Sequence, residues 1–429
     1  MHEGFICYIW QFQYFDKKEL RTSAGEKIEV FKPGFNNTHA GPDFSNAKVK
    51  IGGIDWVGTV EVHPRSSGWM EHRHDLDPAY ENVVLHVVWQ IDQPIYRSDK
   101  TLLPTLELKD RVDESLIKLY HKLVTTSFSI PCKKSFPQVD EVVRRSMLDR
   151  TLMQRLEDKA AQVVEILNQH HGDWQQTAFI LLARNFGFKV NNEPFLQLAK
   201  SLSFKTLLKH TDKPIQIEAL LFGQAGFLDI EVGDEYYLLL QREYHVLSKK
   251  YGLYGRRLKR AQWRFLRLRP ANFPTIRLAQ FAALIVQDKN IFSRIFDVAD
   301  TPFFRALFSV RQSEYWQHHY QFNRKSKHAV AGLGDSSIDT ILINTVAPLL
   351  VAYGKYNDQQ TVVDRAVEML RAIPPESNTI TKSWSDLGYA ALTAFDSQAM
   401  IELYNQYCQR RNCLNCTIGA SLLKPNSQT

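Results

Sequence analysis

The pair Gly52-Gly53, set between the alternating runs AKVKI and WVGTVEVH, constrains this chain more than any other feature of its sequence. Two adjacent glycines between β-type runs predict a two-residue hairpin turn, because that turn needs positive φ at both central positions. The turn sets a register in which Ile51 faces Ile54 and Val49 faces Trp56. Asp43 then falls opposite Val62, while Glu61 and His63 share a strand face one step out of phase with it. Bringing Asp43 beside Glu61 and His63 demands a bulge, most easily at Gly58 or just after Pro42.

The rest of the first hundred residues follows similar logic. MHEGFICYIWQFQYF reads as an amphipathic helix, KIEVFKPG as a strand closed by Pro33-Gly34, and the valine-rich YENVVLHVVWQI as a strand covered on both faces. From Asp113 the period lengthens. DESLIKLYHKLV and the long run after Asp140 place apolar residues three and four apart, with Asp140 as an N-cap. Helical patterns then continue to the end, among them the apolar GDSSIDTILINTVAPLLVAYG, entered at Asp335 or Ser336. A chain of 429 residues exceeds one core. We therefore expect an α/β domain over 1–112 built on a mixed sheet, a linker helix and Cys132 segment over 113–138, and a larger all-α domain over 139–429.

Hydrophobic residues at 44% and charged residues at 23% exclude a disordered chain. No run approaches the roughly 20 uninterrupted apolar residues of a membrane helix. The N-terminus lacks a basic region and a small-residue cleavage site. The expectation is a cytoplasmic protein without a membrane partner.

A divalent ion that drives phosphodiester hydrolysis needs at least two hard oxygen ligands in one place, with a group that activates water or neutralises charge. The nuclease pattern PD-(D/E)xK meets this with an Asp at the start of one strand and an acid and a Lys two apart on the next. The sequence resembles it: Pro42-Asp43 supplies the first element, Glu61-Val62-His63 the second, and Glu3 a helix acid. The resemblance implies a restriction-endonuclease-like sheet with Mg²⁺ or Mn²⁺ at Asp43, Glu61 and Glu3. His63 replaces the usual lysine, and a histidine can still act as base or orient water. A half-buried hairpin with a polar rim accounts for the same residues. A third reading takes His63, His72 and His74, with Asp75 or Asp77, as transition-metal ligands of a zinc-dependent hydrolase of a small substrate, since H-x-H pairs are common at zinc. His86, inside VVLHVVW, reads as a sheet histidine.

Five cysteines are too few for a disulfide scaffold, but Cys408, Cys413 and Cys416 lie within nine residues. Three thiolates leave a tetrahedral site one ligand short, and Cys132, isolated between prolines, is the candidate fourth for Zn²⁺ or an iron–sulfur cluster.

From Arg242 to Arg269 ten Lys or Arg face one acid, so this segment alone exceeds the whole chain's net charge of +7. Lys249, Lys250, Arg256, Arg257, Lys259, Arg260, Arg264 and Arg267 are interleaved with Tyr251, Tyr254, Trp263 and Phe265, which suits phosphate contact with base stacking. The other reading packs Trp263, Leu266 and Leu268 inward beneath a solvated cationic face. The surplus charge cannot be paired internally, which favours a polyanion surface and nucleic acid as partner.

GPDFSNAKVKIGGIDWVGTVEVHPRSSGW, LARNFGFKVNNEPFLQLAKSL, LRLRPANFPTIRLAQFAALI and CLNCTIG together resemble the bacterial domain of unknown function 2851 family over nearly the whole chain. That resemblance implies a shared fold and carries no activity. The residues themselves favour a metal-dependent nuclease. The alternatives are a non-catalytic nucleic-acid-binding or scaffold protein with a degenerate nuclease fold, and the zinc-dependent hydrolase, which would not depend on the 242–269 patch.

Overall fold

The computed structural model describes residues 1–37, 39–229, 233–297 and 300–424. The chain divides into two compact units, one of residues 1–147 with 403–429, the other of residues 148–402. The C-terminal segment with three of the cysteines, expected in the helical domain, thus clusters with the N-terminal unit. Its contacts give the reason. Arg411 donates to the carbonyls of Thr126 and Phe128 at 2.9 and 2.8 Å, satisfying groups that the end of a helix leaves unpaired. Tyr8 Oη donates to Ala420 O at 3.1 Å.

The N-terminal unit starts with α1 (Glu3–Phe12), capped by His2, whose Nδ1 accepts from Gly4 N at 3.2 Å. Its sheet contains β1 (Ile28–Lys32), β2 (Phe35–Asn36), β3 (Phe44–Ile51), β4 (Ile54–Arg65), β5 (Val83–Gln90) and β6 (Thr105–Glu107). The order is β1-β3-β4-β5-β6, with β2 paired to β3. Pairing is antiparallel from β1 to β4 and parallel from β4 to β6. Between β4 and β5 the chain crosses over through α2 (Gly68–Glu71), as a parallel connection requires. The face of α1 carrying Phe5, Ile6, Ile9 and Trp10 packs on β4 and β5, and burying each such side chain stabilises the fold by about 1.5–3 kcal/mol. As its valine-rich run predicts, β5 is buried on both faces for six residues. After the sheet come α3 (Glu114–Thr125), capped by Asp113, and α4 (Glu141–Gln169), whose second residue, Val142, donates its amide to Asp140 Oδ1 at 2.7 Å.

Gly52 and Gly53 both have positive φ, at 58° and 91°, and Ile51 faces Ile54 and Val49 faces Trp56 as the hairpin predicts. Farther along, Ala47 faces Gly58 but Phe44 faces Val60. Three steps on β3 therefore match two on β4. The surplus residue is at Ser45-Asn46, and Asn46 adopts left-handed backbone with φ 54°. The required bulge is thus on β3 and not at Gly58. Gly58 has another reason to lack a side chain: a Cβ there would meet Val84 Cγ1 at 2.5 Å and Asn82 O at 2.6 Å.

The second unit is helical almost throughout, with an aromatic core in which Phe179 lies 5.5 Å from Phe204 and 5.7 Å from Phe281. Helix Asp335–Tyr356 has the length and apolar composition of a membrane span but is mostly buried within this unit, and it contains a π-helical turn at Leu342–Val346.

The bulge makes a direct prediction. Asn46 is exposed, so a β-branched residue there perturbs backbone and not packing. Asn46→Ile is expected to destabilise the protein by about 1–2 kcal/mol in denaturant melts, while Asn46→Gly stays within about 0.5 kcal/mol of wild type.

Candidate functional site

With the bulge in place, Asp43 sits beside Glu61. Two reciprocal contacts join them: the Asp43 amide donates to Glu61 Oε2 at 3.2 Å, and the Val62 amide donates to Asp43 Oδ2 at 2.9 Å. From α1, Glu3 and, one turn on, Cys7 reach the same place. Glu3, Cys7 and Asp43 line a cavity of about 660 Å³ together with Asn36, His121 and Arg410. Glu61 is 5% and His63 1% exposed, and neither lines that cavity.

Glu3 and Asp43 at the cavity and Glu61 behind them crowd together, and among the described residues no Lys or Arg forms an ion pair with any of them. Burial, opposed by the Val62 amide and aided by Glu3, raises Asp43 to about 6. Burial, then the neighbouring charges of Asp43 and Glu3, raises Glu61 to about 9. Burial and the same three carboxylates push the Cys7 thiol well above its ordinary value, so it is not a thiolate nucleophile. Tyr80 is pushed up to about 12 by burial, then Glu61 and Asp43.

Behind Glu61 lies a second cluster. Its Oε1 is 3.6 Å from His63 Nε2 and 3.2 Å from His74 Nε2. His63 Nε2 is in turn 3.1 Å from His72 Nδ1, and His63 Nδ1 is 2.9 Å from His86 Nε2. Burial first, with His72 and His74 adding to it, lowers His63 to about 3, so its imidazole is neutral. His63 therefore holds the strand position of the pattern's lysine, but it brings no positive charge and does not face the cavity. Its placement joins it instead to His72 and His74, the grouping of the third sequence reading; one nitrogen from each lies within 4.8 Å of the others. Asp75 and Asp77 form no part of this group.

Local structure explains the cluster. Asp92 accepts from Ser66 Oγ at 2.8 Å, Ser67 N at 2.9 Å and Ser67 Oγ at 2.7 Å, which fastens the turn that carries His72 and His74. Tyr80 stacks on His74 with ring centroids 3.7 Å apart. Sequence reasoning had not weighed Asp92, Tyr80 or Cys7 for this site, and it took His86 for an ordinary sheet histidine. Only its spacing on the strand beside Glu61 could have drawn attention to His86.

Cys132, Cys408, Cys413 and Cys416 all fall in the N-terminal unit and all are buried, at 8, 6, 7 and 7% exposure. Burial leads, and the other thiols follow, in raising the Cys132 and Cys408 thiols; among the described residues the ligand atoms that gather within 4.8 Å of one another are those of the histidines and not these sulfurs. Arg411, bonded to Thr126, Phe128 and Cys408 carbonyls, clamps the two segments together.

In the helical unit, Lys249, Lys250, Arg256, Lys259, Arg260, Arg264 and Arg267 are exposed, and Arg257 pairs with Asp229 at 2.7 Å. Trp263 is buried and donates to Ala225 O at 2.8 Å, so it cannot stack on a base. Tyr254 is exposed.

No curated protein and no solved structure matches the chain. The family described as Protein of unknown function (DUF2851) matches residues 3–379, and the chain belongs to it.

Proposed function

We propose that the N-terminal unit hydrolyses phosphodiester bonds with a divalent cation, Mg²⁺ or Mn²⁺, and that nucleic acid is the substrate. One observation carries this reading: a strand bulge brings Asp43, at a cavity that also presents Glu3 and Arg410, against the buried Glu61, and among the described residues no Lys or Arg pairs with either acid. Carboxylates this crowded repel a phosphate until a cation sits among them. With the ion bound, they hold it while it draws charge from the phosphoryl oxygens and lowers the pKa of a bound water. Asp43 has one oxygen committed to Val62 N and the other free for the ion. Glu3, which lines the same cavity as Asp43, would serve as a further oxygen ligand. The exposed cations of residues 249–267 support a polyanionic substrate, since such a surface contributes salt-sensitive affinity whatever the sequence bound.

The four buried thiols have a separate role in this proposal, as a staple. A thiophilic ion, either Zn²⁺ or an iron–sulfur cluster, would join the Cys132 segment to the C-terminal turn and contribute to folding directly. Purified protein is expected to carry zinc or iron that is lost in Cys132→Ser; a metal content unchanged by that substitution would remove the staple.

The catalytic reading makes two predictions of opposite sign. Purified protein should cleave single- or double-stranded DNA, or RNA, only with Mg²⁺ or Mn²⁺, and Asp43→Asn should slow cleavage at least ~100-fold. Failure to cut all of these substrates sinks the proposal. In chelator, the same substitution removes a crowded, half-desolvated charge. It should raise the melting temperature, by roughly 2–4 °C for about 1 kcal/mol in a unit of this size. A purely structural acid would destabilise when replaced.

A further inference from the structure

The cluster behind Glu61 supports an inference that goes beyond the hydrolytic reading and shares only Glu61 with it. We infer that Glu61 Oε1, His63 Nε2, His72 Nδ1 and His74 Nε2 form a tetrahedral site for a transition-metal ion, zinc in the first instance.

The first argument is distance. Zinc bonds of about 2.0–2.2 Å at tetrahedral angles place neighbouring ligand atoms about 3.3–3.6 Å apart. Three edges of the group are 3.1 Å (His63–His72), 3.6 Å (His63–Glu61) and 3.2 Å (His74–Glu61). The three imidazoles place a nitrogen each within 4.8 Å of the others. The three imidazoles, from a strand and the turn after it, thus converge, and Glu61 Oε1 adjoins two of them, His63 and His74.

The second is an orphaned atom. His74 Nε2 is buried and forms no hydrogen bond, although Glu61 Oε1 is only 3.2 Å away. The His74 side chain is nine-tenths buried, so water does not satisfy it. A buried ring nitrogen left without a hydrogen-bond partner costs free energy. An ion between it and Glu61 Oε1 satisfies the nitrogen.

The third is the surrounding shell. Metal-bound histidines commonly donate their second ring N–H to a fixed acceptor, which orients the ring. His63 Nδ1 has such a partner in His86 Nε2 at 2.9 Å, a tautomer that leaves Nε2 free to bind. The His63 ring is also wedged under the turn: a Cβ at Gly68 would meet it at 2.8–2.9 Å. Tyr80 stacks on His74. Three imidazoles and one carboxylate suit zinc, cobalt or nickel and not magnesium, which demands six hard oxygens in an octahedron.

The test is metal binding by the full-length protein, stripped with chelator and titrated with Zn²⁺ and then with Co²⁺ as a spectroscopic probe. Wild type should bind one more zinc per chain than His72→Ala/His74→Ala, with affinity at that site reduced at least ~100-fold in the variant. Its cobalt spectrum should gain tetrahedral ligand-field bands without sulfur charge transfer; bands with sulfur character report the thiols instead. Excess Mg²⁺ should not displace the ion. His72 is exposed and His74 half-buried at the residue level, so the variant should keep the fold, which circular dichroism checks. His328→Ala, exposed in the other unit, serves as control. Equal zinc stoichiometry and affinity in wild type and the double variant would overturn the inference. Zinc lost on histidine substitution without any nucleic-acid cleavage would uphold this site and refute the hydrolytic reading. Cleavage sensitive to Asp43→Asn with zinc binding indifferent to the histidines would do the reverse.

Discussion

One surplus residue in a strand decides what the N-terminal unit can do. Counted on from Phe44 opposite Val60, Val62 faces Pro42. Pro42 has no N–H to return to the ladder, and its carbonyl is already taken by Asn37 Nδ2 at 3.0 Å. The Val62 amide would be left unpaired in a buried strand, at a cost of about 1–3 kcal/mol. Asp43 takes it with its carboxylate, and Glu61 takes the Asp43 amide in turn. Two acidic side chains therefore finish a β-ladder where backbone ends. The same act fixes both carboxylates through the ladder, Asp43 at the cavity and Glu61 behind it.

That arrangement opposes stability. Burial and mutual repulsion raise Asp43 to about 6 and Glu61 to about 9, both above their ordinary carboxylate values. A fold that wanted only a satisfied ladder end would place Asn and Gln there, which accept the same amides without charge. Retaining acids at that cost is consistent with the cation site proposed above. The His63 imidazole behind Glu61, kept neutral by burial, fits the same logic: it crowds a carboxylate without adding charge.

Much of the scaffold was legible in the sequence, because local rules govern it. Gly52-Gly53 dictates the hairpin and its register near the turn, alternation and valine content identify β3 to β5, and Asp113 and Asp140 mark helix starts. The need for a phase shift was legible too, since Asp43 and Glu61 could not otherwise meet. Its place was not. A left-handed Asn46 leaves little trace in composition, and Gly58, the more conspicuous candidate, is glycine for the approach of β5. Long-range facts were beyond reach as well. That residues from Leu403 onward return to the N-terminal unit depends on Arg411 finding carbonyls nearly 300 positions away. That Trp263 is buried depends on a carbonyl at Ala225, which the cationic run around it conceals.

The departure at position 63 then has a physical reason. A lysine there would bring its ammonium into a space 1% exposed, walled by His72 and His86, with Glu61 as the nearest acid. Burying an ammonium demands a well-formed counter-charge with every remaining proton bonded, and Glu61 already has one oxygen accepting the Asp43 amide and the other crowded by His63 and His74. A histidine avoids that cost by staying neutral, and its two nitrogens can be divided between a strand partner and a ligand direction. The turn of Ser66 to His74 supplies what it can face, because Asp92 locks that turn and the absence of a side chain at Gly68 lets it close over the ring. The substitution and the turn therefore depend on each other: a lysine would have no use for the imidazoles, and the imidazoles would have no fourth neighbour without a neutral, branched donor on β4.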